Sequence, residues 1–357
     1  MSKKKKILVG LSGGVDSSVA ALLLKKQGYE VIGISMHLYS CHRVGEKSCC
    51  SAQDRLDAKQ VCEKLQIPFV AVDYREEFQK KIIQPFVTEY LQARTPSPCI
   101  LCNQYLKFGA LYNELERLGA DAIATGHYAC IDQAGDHWRL RRGIEKNKDQ
   151  SYFLFVISQE NLKRTFFPIG ELTKAEVRKI AAEHGLPTSS KRESQEICFV
   201  TDDDYAGFVE GYAPDQISGS GDFVDKQGKI LGKHRGIHAY TIGQRRGLGF
   251  GLGKRQYVIQ IDAKQNRIIL GDRQDLYYQD MLLKDVHLIC SKADVEKKAG
   301  QIQVQIRSTH KAAPAQLEFQ QDGKVKVEFK EAQLMITPGQ AAVFYSGDEV
   351  LGGGWII

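Results

Sequence analysis

A glycine- and serine-rich turn near the start of the chain is the feature that most constrains its fold. The turn spans residues 10–18, reads GLSGGVDSS, and lies between the apolar runs Ile7–Val9 and Val19–Leu24. This pattern predicts a buried strand that leads directly into a helix. Gly13 and Gly14 let backbone N–H groups converge at the start of that helix, where the helix dipole favours anions. The turn therefore predicts a site for phosphate.

The same turn lacks the lysine of the commonest phosphate-binding loop. No Gly-Lys-Ser/Thr follows the glycines, so a loop that holds a transferable terminal phosphate is excluded. The turn resembles the Ser-Gly-Gly-x-Asp-Ser loop of the ATP pyrophosphatases, which grips the β- and γ-phosphates of ATP as a leaving group. In that resemblance Asp16 orients Mg²⁺ or a loop amide. The alternative is a plain glycine turn in which Asp16 or Ser17 is the helix N-cap.

Length and composition bound the class of protein. The 357 residues suffice for two or three domains, each with its own core. No apolar segment reaches the roughly 18 residues of a membrane span, and the N-terminal lysines run into a strand without an apolar signal segment. These features predict a cytoplasmic protein with no membrane partner. The formal charge of +6 allows a polyanionic partner without requiring one.

Nine cysteines, an odd number without an export signal, argue against a disulfide framework. Those in apolar segments are predicted to be small buried side chains: Cys62, Cys130 and Cys290. Those in a polar segment are candidates for redox-sensitive thiols: Cys41, Cys49 and Cys50. The candidates for chemistry are Cys99, Cys102 and Cys198.

The N-terminal third alternates between strand-like and helix-like patterns. Strands are predicted over 31–34, 69–72 and 121–125, and helices over 51–65 and 76–92. This alternation predicts an α/β domain with a doubly wound parallel sheet that binds nucleotide at its carboxyl edge. His127 follows the strand that ends at Thr125, so it either faces the ligand crevice or caps a turn.

The pattern of apolar, polar and glycine residues changes near residue 214. A hairpin over 130–142 and a helix over 174–184 precede this point, and short glycine-rich runs and then an almost wholly strand-like pattern follow it. We predict three domains: an ATP pyrophosphatase catalytic domain (1–213), a β-rich middle domain (214–278) and a C-terminal β-barrel (279–357). Basic residues lie among glycines in 232–236 and 240–249, which suits contacts with a nucleic-acid backbone.

Cys99 and Cys102 form a Cys-x-x-Cys pair behind Pro96 and Pro98. The prolines disfavour a helix there, and a helix is predicted over 104–118, which would put Cys102 near a helix N-terminus that lowers the pKa of its thiol. Such a pair can form a redox disulfide, ligate a metal, act as nucleophile and helper, or be an accidental pair of buried thiols. With Cys198 it could hold an iron–sulfur cluster such as [4Fe-4S]; alternatively Cys198 carries a persulfide.

Several motifs in a fixed order resemble those of the bacterial tRNA-specific 2-thiouridylases, which thiolate uridine 34 at the wobble position. Besides the phosphate loop they are ATGHY (124–128), KDQSYFL (148–154), EICF (196–199), YTIGQRRGLG (240–249) and PGQAA (338–342). The resemblance covers essentially the whole chain. It implies ATP and Mg²⁺ as cofactors, and tRNA and a sulfur donor, such as a cysteine desulfurase or a sulfur-relay protein, as partners.

The resemblance also implies roles for individual residues. The ATP contacts would be Gly10, Leu11, Ser12, Gly13, Gly14, Val15, Asp16, Ser17, Met36 and Gly126. The target base would meet Ser97, Pro98 and Cys99. Further tRNA contacts would be His127, Lys148, Asp149, Gln150, Arg307, Ser308 and Gln340. Cys102 is similar to the family nucleophile, and Cys198 to the cysteine that receives the persulfide.

Two positions depart from the family pattern. The best-known members carry aspartate where this sequence has Cys99, so no carboxylate role transfers and a cluster on Cys99, Cys102 and Cys198 gains support. Members often carry tyrosine where this sequence has Ser308, so an aromatic tRNA contact is not carried over.

Two other functions remain compatible with these motifs. An adenylating ligase on the same loop, such as a tRNA-lysidine synthetase, needs no sulfur carrier and would stay active without Cys102 and Cys198. A thiol-regulated RNA-binding protein that holds ATP as a structural ligand would not turn ATP into AMP in a tRNA-dependent way.

Overall fold

The computed structural model describes residues 4–39, 52–191, 197–249 and 255–357. The N-terminal strands are β1 (Lys6–Gly10), β2 (Glu30–His37), β3 (Phe69–Asp73), β4 (Ala122–Thr125), β5 (Ala129–Ala134), β6 (His137–Arg142) and β7 (Thr165–Phe166). The N-terminal helices are α1 (Val15–Lys26), α2 (Ala52–Leu65), α3 (Arg75–Phe78), α4 (Gln84–Leu91), α5 (Pro98–Cys102), α6 (Leu111–Leu118), α7 (Gln159–Lys163) and α8 (Lys174–Glu183). Two π-helical segments, Gln79–Ile83 and Asn103–Ala110, join α3 to α4 and α5 to α6.

Five parallel strands form the N-terminal sheet in the order β3-β2-β1-β4-β7. The central strand β1 is fully apolar at Ile7–Val9, and these residues have no exposed surface. Helices α1, α2 and α8 pack on one face of this sheet, while α6 covers the other. The predicted doubly wound parallel sheet is therefore confirmed.

The middle domain is a small mixed sheet. Its elements are α9 (Tyr205–Tyr212), β8 (Gly221–Val224), β9 (Ile230–His234), β10 (Tyr257–Asp262) and β11 (Arg267–Gly271). The strand order is β10-β11-β8-β9, in which only the β11–β8 pair is parallel. The side chain of Asp204 caps α9 by accepting a 2.9 Å hydrogen bond from the Gly207 amide, as its position before the helix predicts.

The C-terminal domain is a closed barrel of six strands. Its elements are β12 (Tyr277–Leu288), α10 (Lys292–Lys297), β13 (Ile302–Gln305), β14 (Ala313–Phe319), β15 (Val325–Leu334), β16 (Ala341–Ser346) and β17 (Glu349–Ile356). Pairing of β12 with both β15 and β17 closes the barrel. Helix α10 interrupts the otherwise strand-like pattern, because Ser291 caps its first turn.

The hairpin β5–β6 leaves the N-terminal sheet and extends the barrel sheet instead. Strand β6 pairs with β17 through Leu140 opposite Val350. One hydrophobic cluster then spans both domains, and it contains Ile100 of α5, Phe155 and Tyr345 of β16. The barrel is thereby packed directly behind the helix that carries the Cys-x-x-Cys pair.

Candidate nucleotide and thiol site

The phosphate loop connects β1 to α1 at the carboxyl edge of the sheet. The Ser17 and Ser18 hydroxyls donate hydrogen bonds of 3.2 and 2.8 Å to the Gly14 carbonyl, and Ser17 Oγ accepts one of 3.2 Å from the Ser12 amide. The N-cap residue of α1 is Gly14, and no side chain in the described part of the chain caps this helix end. The alternative in which Asp16 or Ser17 is the N-cap is therefore wrong. The amides of the first turn remain available to an anion.

Two glycines let backbones approach the loop more closely than any side chain would allow. Gly13 has a φ of +72°, and a Cβ atom there would lie 2.3 Å from the Asp54 carbonyl oxygen in α2. A Cβ atom on Gly126, just after β4, would lie 2.5 Å from the Ser17 amide nitrogen. The structure thus brings Gly126 against the first turn of α1, beside the other predicted ATP contacts.

Asp16 makes contacts that sequence reasoning did not anticipate. Its two carboxylate oxygens accept hydrogen bonds of 2.7 and 2.8 Å from Lys174 Nζ at the start of α8. The Tyr128 hydroxyl donates a further bond of 2.9 Å to Asp16 Oδ1. Lys174 lies 158 residues from Asp16 along the chain, and no motif singled it out. Only the packing of α8 on α1 reveals it.

The helix that carries the thiols begins six residues earlier than the sequence predicted. It starts at Pro98 rather than at residue 104, because proline fits the first helical position, where its missing N–H has no partner to lose. Cys99 is therefore in the first turn and is exposed, whereas Cys102 closes that turn and is buried. The prediction that the prolines disfavour a helix here was wrong.

Cys102 and Cys198 belong to one hydrophobic cluster. Cys102 is a buried member of it, and Cys198 packs against it partly buried. Met36, near the end of β2 at the nucleotide edge of the sheet, packs against the same cluster. A predicted ATP contact and both predicted sulfur-handling thiols thus share one cluster.

The segment that leads to Cys198 is fastened beside the phosphate loop. The Thr188 hydroxyl donates a 3.0 Å hydrogen bond to Ser18 Oγ in α1. Lys191 Nζ donates a 2.6 Å hydrogen bond to Asp54 and forms a second ion pair with Asp57. The start of the Cys198 segment is therefore tied to α1 and α2, which border the phosphate loop.

A three-thiolate metal site is not formed by the residues that the structure describes. Among them, no group of three or more His, Cys, Asp or Glu side chains is arranged to hold a metal ion. Cys99, Cys102 and Cys198 therefore do not come together as the three-thiolate ligand set considered above, and Cys99 is exposed whereas Cys102 is buried. The candidate redox-sensitive thiols Cys41, Cys49 and Cys50 lie outside the described residues.

The cysteines of the apolar segments have mostly the predicted positions. Cys62 is 1% and Cys130 6% exposed, which confirms them as buried side chains. Burial raises the pKa of the Cys62 thiol to about 12, with a contribution from Glu63, and the pKa of Cys130 to about 11. Cys290 is only partly buried and lies in the bend between β12 and α10.

The barrel clamps the chain just ahead of α5. Gln340 Nε2 donates hydrogen bonds of 3.0 and 3.1 Å to the Thr95 and Pro96 carbonyls. The Thr95 amide donates a 2.9 Å hydrogen bond to the Pro338 carbonyl. The two segments are so close that a Cβ atom on Gly339 would lie 2.9 Å from the backbone nitrogen and oxygen of Thr95. The turn that contains Gln340 therefore holds the approach to Ser97 and Cys99.

Three family models match successive parts of the chain. Residues 5–202 match a model described as a tRNA methyl transferase HUP domain. Residues 206–272 match a tRNA methyl transferase PRC-barrel domain, and residues 278–356 an aminomethyltransferase beta-barrel domain.

Curated relatives match the chain over almost its full length. The tRNA-specific 2-thiouridylase MnmA of Geotalea uraniireducens is 47% identical, over 99% of this chain and 96% of the relative. The tRNA-specific 2-thiouridylase MnmA of Clostridioides difficile is 45% identical, over 100% of this chain and 99% of the relative. The chain belongs to the tRNA-specific 2-thiouridylase family. A solved 4-thiouridine synthetase–RNA complex with bound ATP is a more distant match, with 17% identity, a TM-score of 0.39 and coverage of 59% of this chain and 51% of that one.

Several tRNA contacts predicted for this chain have internal partners in the structure. Asp149 accepts bonds from Arg142 (2.7 Å), the Ser151 hydroxyl (2.9 Å) and two backbone amides (3.1 Å each), and its side chain is 7% exposed. Arg142 continues to Gln305 of the barrel at 2.9 Å. The Gln150 side-chain oxygen accepts a hydrogen bond from the Tyr128 backbone amide, and the Gln150 backbone amide donates one to the Tyr128 carbonyl. Asp149 and Gln150 thus join the KDQ segment to the barrel and to the Tyr128 region.

The remaining predicted contacts differ in exposure. Ser308 is exposed, whereas Arg307 is partly buried and donates a 3.0 Å hydrogen bond to the Leu334 carbonyl. In the basic glycine-rich loops of the middle domain, Arg245 and Arg246 are exposed and His234 is buried. His234 is therefore a core residue, while the two arginines are open to a polyanion.

His127 is buried rather than presented to a surface. It is 8% exposed, packs between the rings of Phe108 and Phe167 at 5.9 and 5.8 Å, and shares a 2.7 Å hydrogen bond with Thr125 Oγ1. Desolvation, with a smaller effect of Lys107, lowers the pKa of His127 well below 6.5. Direct contact with tRNA would require this side chain to become exposed.

The buried His127 predicts a pH-dependent stability. The unfolded chain binds a proton near pH 6.5, whereas the folded chain keeps His127 neutral to lower pH, so the free energy of unfolding falls as pH drops below about 6.5. The contribution reaches at most about 1.4 kcal/mol per pH unit. We expect urea titrations between pH 5 and 7.5 to show a smaller slope in His127→Asn than in wild type. An equal reduction in His137→Asn, which changes an exposed histidine, would contradict this assignment.

Because Gln340 clamps the chain ahead of α5, its replacement should lower the stability of the tRNA-free protein. Gln340→Ala removes two hydrogen bonds and leaves the Thr95 and Pro96 carbonyls unpaired, which costs about 1–3 kcal/mol. Denaturant unfolding without tRNA measures this loss, with Gln227→Ala in an exposed turn as the control. Unchanged stability combined with weaker tRNA binding would instead identify Gln340 as a tRNA contact only.

Proposed function

We propose that this protein thiolates C2 of uridine 34 in tRNA and uses ATP to activate the C2 oxygen. The observation that carries the proposal is the shared cluster: Met36, at the nucleotide edge of the sheet, and both Cys102 and Cys198 pack in it. An enzyme that adenylates a base and then delivers sulfur to it needs its nucleotide and its thiols close together. Membership of the tRNA-specific 2-thiouridylase family supports the same reaction.

ATP binding would use the phosphate loop. The amides of the first turn of α1 would bind the β- and γ-phosphates, and the Ser17 and Ser18 hydroxyls hold the loop conformation through their bonds to the Gly14 carbonyl. Magnesium bound to a nucleotide takes most of its ligands from phosphate and water, with one or two carboxylates. Asp16, whose side chain is 30% exposed at this turn, would hold it. When bound, the ion neutralises phosphate charge.

The reaction would begin when the C2 oxygen of uridine 34 attacks the α-phosphorus of ATP. Pyrophosphate leaves, and adenylate becomes the leaving group at C2. Because uridine 34 lies in the single-stranded anticodon loop, it can be turned out into a pocket at modest cost. The segment Ser97–Cys99, held by the barrel clamp, is the proposed neighbour of the base.

Sulfur would arrive as a persulfide on Cys198, supplied by a cysteine desulfurase or a sulfur-relay protein. Its terminal sulfur attacks C2 and expels AMP, which leaves the base joined to Cys198 through a disulfide. The Cys102 thiolate then attacks the sulfur of Cys198 and releases 2-thiouridine. A Cys102–Cys198 disulfide remains, and an external thiol must reduce it before the next cycle.

Exposed and partly buried basic and polar groups would bind the anticodon arm. We propose Arg245 and Arg246 of the middle domain as phosphate contacts, together with Lys148, Arg307 and Ser308. For the buried His127 and Asp149, we propose that they shape this surface, in contact with Phe108 and Arg142 respectively.

One assay tests the proposed reaction against the alternatives. Radiolabelled ATP should give AMP and pyrophosphate only when tRNA is present, and digestion of the tRNA should yield 2-thiouridine at position 34. A tRNA-lysidine synthetase would modify cytidine without a persulfide, and an RNA-binding protein would produce no AMP. Turnover to AMP without any thiolated nucleoside would contradict the proposal.

The persulfide route also predicts that thiolation does not need an iron–sulfur cluster. Protein purified without oxygen should form 2-thiouridine when it contains no stoichiometric iron, because in this route the Cys198 persulfide itself supplies the sulfur. Iron and acid-labile sulfide are measured in wild type and in Cys99→Asp. Near-stoichiometric cluster that disappears in Cys99→Asp together with activity would establish the cluster route instead.

A further inference from the structure

A lysine ammonium group lies at the first turn of α1 without an assigned role. Lys174 is the first residue of α8, its side chain is 12% exposed, and its Nζ is 2.7 and 2.8 Å from the oxygens of Asp16. Tyr128 reaches the same carboxylate at 2.9 Å. Burial of an ammonium is costly unless it is paired, and the Asp16 carboxylate is the partner that pairs with Lys174 here.

The backbone that carries Lys174 is firmly placed. Thr173 and Glu176 form a capping box at the start of α8, with hydrogen bonds of 3.3 Å from the Glu176 amide to Thr173 Oγ1 and 2.7 Å from the Thr173 amide to Glu176. Val177 and Ala181 of this helix are fully buried in the cluster that also contains α1. The ammonium is therefore presented by a rigid element, which is what a ligand-binding side chain requires.

The phosphate loop has no cationic side chain of its own. Residues 10–18 contain neither lysine nor arginine, and the one charged residue among them is Asp16. An anion on the first-turn amides would lie next to the Asp16 carboxylate and be repelled by it. Lys174 neutralises that carboxylate and, with three N–H donors, can contact a phosphate oxygen while it keeps a bond to Asp16.

We propose that Lys174 is a pyrophosphate-binding residue that supplies the positive charge the loop itself lacks. The inference rests on the proposed function, in which pyrophosphate is the leaving group. Lys174 would bind the β- and γ-phosphates of ATP and stabilise the charge that builds up on them as the α-phosphorus is attacked. A role limited to joining α1 and α8 is the competing explanation.

The test measures binding of inorganic pyrophosphate and of adenosine by calorimetry, in EDTA so that no metal contributes. A charge-assisted hydrogen bond lost in Lys174→Met should weaken pyrophosphate binding about 10- to 100-fold and change adenosine binding less than about twofold. Lys174→Arg, which keeps the charge, should retain most of the affinity. Lys298→Met is the matched control, because Lys298 forms a similar 2.6 Å ion pair with Glu349 in the barrel.

A double variant separates the two explanations. Lys174→Met leaves the Asp16 charge unpaired, which alone could repel pyrophosphate or destabilise the fold. In Asp16→Asn/Lys174→Met that charge is gone, and we expect pyrophosphate binding to stay weak. Recovery to wild-type affinity, or an unchanged affinity in Lys174→Met, would overturn the proposal. Failure of the proposed function is distinct, since it would appear as wild-type protein that forms no 2-thiouridine.

Discussion

Cys198→Ser is expected to abolish 2-thiouridine formation, by at least about 1,000-fold, while tRNA binding stays within about twofold. A serine hydroxyl cannot carry a persulfide, so the sulfur that attacks C2 is never delivered, whereas the volume of the side chain hardly changes. Since Cys198 packs partly buried against the cluster of Cys102, the substitution should leave the fold intact. Nucleoside analysis after a single turnover, with tRNA binding measured in parallel, checks this.

Two further variants make this result specific. Cys290→Ser changes a partly buried thiol in the barrel and should retain activity. Cys102→Ser should instead accumulate tRNA joined to Cys198 through a disulfide, because the thiol that releases the product is missing. This adduct would appear on a non-reducing gel and vanish with reductant. Thiolated tRNA formed by Cys198→Ser would refute the persulfide mechanism.

Gly126→Ala is expected to reduce ATP affinity by at least about tenfold and to lower the free energy of unfolding by about 1–3 kcal/mol. The added methyl carbon would lie 2.5 Å from the Ser17 amide nitrogen and 2.6 Å from the Asp16 carbonyl carbon. Both are backbone atoms of α1, so the first turn itself must shift. That turn carries the amides proposed to bind phosphate. Calorimetric ATP binding and urea unfolding measure the two effects.

Gly211→Ala provides the control for this substitution. Gly211 lies in α9, and a Cβ atom there meets nothing within 4 Å. It should bind ATP as wild type does and be slightly more stable, since alanine favours a helix over glycine by about 1 kcal/mol. Gly126→Ala protein with normal ATP affinity would show that the first turn of α1 does not hold the phosphates.

The local patterns in the sequence predicted local structure well. The buried β1 and α1 follow from their apolar runs, and the turn between them follows from Gly13, whose positive φ favours glycine. Alternation of strands and helices predicted the parallel sheet. The start of α5 was missed because proline has two opposite effects. It disfavours the helical conformation in the residue before it, but it fits the first position of a helix itself, and the sequence alone did not separate these two effects.

Contacts between distant segments could not be read in this way. The pairing of β6 with β17, the Gln340 clamp and the Asp16–Lys174 ion pair each join residues far apart in the chain. Likewise, the burial of His127 and Asp149 depends on elements that pack over them, whereas the family resemblance had implied that both contact tRNA.

By itself, the sequence determined the glycine turn between β1 and α1 and the fold class, because backbone conformation and periodicity are properties of nearby residues. Only the tertiary structure decided which groups stand together: Met36, Cys102 and Cys198 in one cluster, and Lys174 against Asp16. Burial and charge pairing arise from packing between elements, and packing is set by the whole chain at once.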